Sequence, residues 1–74
     1  MNLMTEHITV EAAREPSVGY ERIQEAFGLV DFCERVRGCF MRDAEDEFAR
    51  AGYEQTSRVV VGDVIRYTFE RRQP

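Results

Sequence analysis

The dipeptide Gly62-Asp63 constrains this chain more than any other feature. It separates Thr56-Ser57-Arg58-Val59-Val60-Val61 from Val64-Ile65-Arg66-Tyr67-Thr68-Phe69, two runs rich in β-branched and aromatic residues. A two-residue loop with glycine first suits a type II′ turn, whose twist matches that of paired antiparallel strands. Residues 56–70 are therefore expected to form a hairpin. The pairing puts Val60, Ile65, Tyr67 and Phe69 on one face with Thr56 and Arg58. Arg58 then lies opposite Tyr67, where its guanidinium can cover the ring. Ser57, Val59, Val61, Val64, Arg66, Thr68 and Glu70 take the other face. The first face is the expected core face. Val59, Val61 and Val64 then look outward beside a sheet edge, an expected surface for a homodimer or a protein partner.

Residues 4–12 also alternate. Met4, Ile8, Val10 and Ala12 share a face opposite Thr5, His7, Thr9 and Glu11, with Glu6 the one polar intruder on the apolar side. Pro16 ends this strand, and Ser17 can cap a helix. Tyr20, Ile23 and Phe27 recur at helical spacing with Ala26 beside them, so a first helix is expected over 17–27, closed by Gly28. Asp31 and Glu34 have the spacing of a capping box. Cys33, Val36, Phe40, Ala44, Phe48 and Ala51 then form a stripe, and Gly52 is a stop, so a second helix is expected over 32–51. One helix running through Gly28 is the alternative. The expected fold is α+β: a β-α-α-β-β single domain over 1–74, with a three-stranded antiparallel sheet covered on one face by the long helix. Residues 71–74 are expected to fray.

The chain has 74 residues and a net charge of −4. That balance disfavours sequence-independent nucleic-acid binding, which needs several cations on phosphates. Every basic residue is Arg, which allows forked contacts that Lys cannot make; codon bias explains the same pattern. Cys33 and Cys39 are expected to be reduced thiols, since they diverge if they share one helix. The single His, His7, leaves no metal-ligand spacing. No nucleophile-base pair or phosphate loop stands out, so neither catalysis nor a cofactor is expected. The N-terminus carries no basic residue ahead of an apolar run, and no stretch approaches the length of a membrane span, so a cytoplasmic protein is expected.

The strongest functional hint is acidic. Residues 42–48 read Arg-Asp-Ala-Glu-Asp-Glu-Phe, with four carboxylates in five positions of the expected long helix. On a helical wheel Asp46 falls outward, within reach of Arg42 and Arg50 four residues away on either side. Glu45 falls on one flank of the apolar stripe. Asp43 and Glu47 fall on the other, as a like-charged edge. Asp43, Glu45, Asp46 and Glu47 are thus the candidate contacts to a basic protein surface.

Two resemblances bear on this. Ile23, Phe27, Gly28 and Leu29 resemble the corner of a helix-turn-helix, which implies a winged-helix-like DNA-binding regulator. Arg35, Arg37 and Arg42 would then sit on its recognition helix, with Arg58, Arg66, Arg71 and Arg72 as backbone contacts. In size and charge, though by no motif, the chain resembles phage-encoded inhibitors such as anti-CRISPR proteins. That resemblance implies a protein that blocks a basic or nucleic-acid-binding surface of its target. The inhibitor is the leading expectation, the regulator the second, and an assembly subunit dimerising through the hairpin the third.

Overall fold

A computed structural model describes the chain from residue 4 to residue 73. The elements run β1 (Met4–Glu15), β2 (Tyr20–Phe27), α1 (Val30–Val36), α2 (Met41–Arg50), β3 (Glu54–Val61) and β4 (Val64–Gln73). The fold is α+β, with four antiparallel strands in the order β2-β1-β4-β3 rather than the expected three. The first and last strands lie side by side at its centre, from Met4 opposite Gln73 to Ala12 opposite Ile65. Arg71 therefore lies inside β4 rather than in a frayed end, while Pro74 falls outside the described residues.

The added strand replaces the expected first helix. Pro16-Ser17-Val18-Gly19 is a turn, closed by the Val18 and Gly19 amides donating to the Glu15 carbonyl, with Gly19 at φ +75. Ser17 caps nothing. The helical spacing that misled has a physical source. Ala12 pairs with Ile23 and Glu11 with Glu25, so Gln24 is an extra residue in β2. The bulge keeps Ile23 and Ala26, three apart, on the same buried face, and a three-residue interval imitates a helical period.

The expected long helix is two. Gly38 adopts φ +83 just beyond the Arg37 cap and ends α1, and Arg37–Phe40 form a crossing before α2. Asp31 and Glu34 make no capping box: the α1 cap is Leu29, without a side-chain hydrogen bond. The apolar stripe survives the break, since Cys33, Val36, Ala44 and Phe48 are all buried, joined by Phe32 and Met41. They meet Ile8, Val10, Ala12, Ile23, Ala26, Tyr67 and Phe69 from the sheet. Phe48 is sandwiched between Phe69 and Phe32, with ring centroids 4.2 and 5.0 Å away. Burying a ring of this kind contributes about 1.5–3 kcal/mol, so Phe48 anchors the layer.

Glu6, the polar intruder on the apolar face, has a seat. It accepts from Arg71 at 2.9 and 3.0 Å and from the Tyr53 hydroxyl at 3.1 Å. Arg71 also donates to the Ala51 carbonyl, so the cluster ties the end of α2 to the central strands.

Both helices lie toward the β2 side of the sheet. Tyr67 and Phe69 are covered, but Val60, expected in the core, is 62% exposed. The turn at Gly62-Asp63 has Gly62 at φ +61, and no described non-glycine residue has positive φ, which is the type II′ pattern. Arg58 stands opposite Tyr67 with its guanidinium 5.8 Å from the ring centroid. Among the described residues no helix is long and apolar enough to cross a membrane.

Candidate functional site

Helix α2 turns Met41, Ala44 and Phe48 inward, which leaves Asp43, Glu45, Asp46 and Glu47 in solvent. The carboxylates divide between two surfaces. Asp43, Asp46 and Glu47 border a groove of about 440 Å³ between the helices, opposite Arg35, Val36 and Cys39. Glu45 faces away, toward Arg14, Tyr20, Glu21 and Tyr67.

The expected ladder through Asp46 does not form. Arg42 lies over the Tyr20 ring at 4.1 Å and reaches Asp43 at 3.8 Å; Arg50 reaches Glu47 at 3.5 Å. Stacking on Tyr20 draws Arg42 toward β2 and away from Asp46. Among the described residues Glu45 and Asp46 have no ion pair. Exposed pairs such as those of Asp43 and Glu47 contribute at most about 1 kcal/mol each.

Helix α1 adds acids that the sequence reading assigned to a cap. Asp31 and Glu34 are exposed and without an ion pair among the described residues, while Arg35 lies over the Phe32 ring at 4.8 Å. Together α1 and α2 expose Asp31, Glu34, Asp43, Glu45, Asp46 and Glu47 against Arg35, Arg42 and Arg50. Six anions against three cations place three of the four net negative charges on the helical layer. On the opposite sheet face Glu11 holds Arg66 at 2.8 Å. The signal for this asymmetry was present in residues 31–34, but it becomes visible only once both helices lie on one side.

The second candidate surface is the hairpin. Val59, Val60 and Val61 are 50%, 62% and 44% exposed, and Val64 is half-buried beside them. Val59 and Val61 lie on the open face, as expected; Val60, on the helical side, is exposed as well because the helices stop short of β3.

The helix-turn-helix corner is absent. Ile23 and Phe27 belong to β2, and two strands precede the helices. Three of the arginines assigned to DNA are engaged within the fold: Arg37 with Glu25 and the Ala26 carbonyl, Arg66 with Glu11, Arg71 with Glu6. Cys33 and Cys39 are free thiols; Cys33 is buried, and desolvation pushes its pKa up. Among the described residues no three His, Cys, Asp or Glu gather in a way that could hold a metal. No protein-family model matches the chain, and neither curated proteins nor solved structures yield a similar one.

Proposed function

We propose that the chain is a protein-interaction module that docks its helical layer on a basic surface of another protein. The observation that carries this is the charge asymmetry: three of the four net negative charges sit on exposed positions of α1 and α2. A rigid acidic face steers association with a cationic patch and opposes approach to phosphate. Where the patch serves nucleic-acid binding, the bound module blocks it sterically and electrostatically, as a phage-encoded inhibitor would.

Asp46 and Glu45 are the strongest contacts on this reading, because among the described residues no arginine pairs with them. Asp43 and Glu47 have a competitor in place. The test is capture of a partner protein from the source cell at low salt by the wild-type chain, followed by Asp46→Arg with Glu45→Arg and, separately, Asp43→Arg with Glu47→Arg. The first pair is expected to abolish capture and the second to weaken it. Capture indifferent to both pairs, or clear salt-sensitive retardation of DNA by the chain alone, would contradict the proposal.

A further inference from the structure

We infer that the β3 edge is a pairing site for a second copy of this chain, giving a two-fold dimer with one continuous eight-stranded antiparallel sheet. This inference is independent of the acidic face.

The edge is open and long. β3 runs from Glu54 to Val61 at the margin of the sheet, with its residues beyond Ser57 exposed. Its protections against pairing, a bulge between Gln55 and Ser57 and the charges of Glu54 and Arg58, lie toward its start, so Val59, Val60 and Val61 carry none. Pairing hydrogen bonds alternate along an antiparallel ladder, and the Val61–Val64 pair flanking the two-residue turn exchanges both of its bonds. Val60 and Arg58 therefore turn their N–H and C=O groups outward.

The edge is also its own complement. Antiparallel strands in one sheet are related by a two-fold axis perpendicular to it. With the axis at Val60, each Val60 faces the Val60 of the other copy, and each Val59 faces a Val61. Ile65 is opposite Val60 within the chain, so an apolar row runs Ile65–Val60–Val60–Ile65 across the join on the helical side. Val64 is opposite Val61, so the open face gains a patch of six valines, three from each copy. Every exposed valine of the hairpin thereby meets another aliphatic side chain. Placing the axis at Arg58 instead would oppose two guanidiniums, which is unfavourable. The helices do not obstruct the approach, because they lie toward β2. They end on the same side of the joined sheet, so the dimer presents two acidic layers in one direction.

Cysteine cross-linking reads both the dimer and its register. In a Cys39→Ser background, a mixture of Val59→Cys and Val61→Cys chains places two thiols in a non-hydrogen-bonded pair with Cα atoms about 4.5 Å apart, within disulfide range. Val59→Cys alone faces its own copy diagonally, at about 7–8 Å, beyond that range. Oxidation with glutathione disulfide is expected to cross-link the mixture at least about tenfold faster than Val59→Cys alone. Light scattering of the unmodified chain should show a mass rising from 8.6 kDa toward twice that value with concentration. Val60→Lys, which sets two like charges face to face, should raise the dissociation constant at least about tenfold. Equal cross-linking of the mixture and of Val59→Cys alone, a monomer up to about 1 mM, or a dimer indifferent to Val60→Lys would each overturn the inference. A chain that stays monomeric yet captures a basic partner would overturn it while leaving the acidic face standing.

Discussion

The two margins of this sheet have met the same physical problem in opposite ways. At β2 the edge is closed by the crossing between the helices. The Ile23 amide donates to the Cys39 carbonyl at 2.9 Å, and the Gly38 amide returns a bond to the Ile23 carbonyl. Arg37 donates to the Ala26 carbonyl, and Arg22 reaches back to Gly38 and to Glu15. Arg22 also lies over Phe40 at 4.3 Å. At β3 nothing comparable covers the strand among the described residues, and three valines stand in solvent. An edge protected by its own chain contributes to the monomer; an edge left apolar and unpaired is suited to association. The break between the helices at Gly38 is thus what closes one side, because a continuous helix would have offered no backbone to β2.

Perturbation should separate the two margins by size of effect. Phe48→Ala removes the ring that anchors the helices on the sheet through Phe69 of β4 and is expected to cost about 3–5 kcal/mol. Urea unfolding measures it, and a cost below about 1.5 kcal/mol would show that the aromatic stack is not the anchor. Gly28→Ala comes next. A Cβ there would stand 2.7 Å from the His7 carbonyl oxygen at φ +143, so a loss of about 2–4 kcal/mol is expected. Arg37→Ala should cost about 1 kcal/mol, since the side chain is partly exposed and water replaces part of its bonding. Its signature is faster hydrogen exchange at Ile23. Val60→Lys, measured on dilute monomer, should change stability by no more than about 0.5 kcal/mol.

Much of the centre of this fold can be read from its residues, and the margins explain why the rest cannot. β1 and the hairpin follow from alternation and from Gly62-Asp63, because a strand buried on one face writes a period of two. β2 hides its identity at Gln24, where the bulge converts that period into three. The helix break hides at Gly38, since a lone glycine in an apolar stripe reads equally as a tolerated interior residue. Val60 looked like core because alternation reports which face a residue takes, not whether that face is covered. Asp43, Glu45, Asp46 and Glu47 were visible as a run, but Asp31 and Glu34 joined them only through tertiary placement.

Tyr67 links the margins, since its hydroxyl donates to Glu21 on β2 while Arg58 of β3 lies over its ring. Burial, then the bond to Glu21, raises its pKa; burial, then the bond to Glu6, does the same for Tyr53. With folded values above the unfolded value of about 10, the folded state holds more protons in that range, and stability falls as pH rises past about 10. Tyr53→Phe with Tyr67→Phe should flatten this alkaline loss in urea titrations; an unchanged slope would assign it elsewhere.

Hydrogen exchange at both edges, followed against protein concentration, tests the contrast most directly. The Ile23 amide should be protected to the same degree at every concentration, because its acceptor is in the same chain. The Val60 amide should exchange freely in dilute solution and slow as the dimer fills. Val60 exchanging at one fast rate throughout, or Ile23 as unprotected as Val60, would contradict the account.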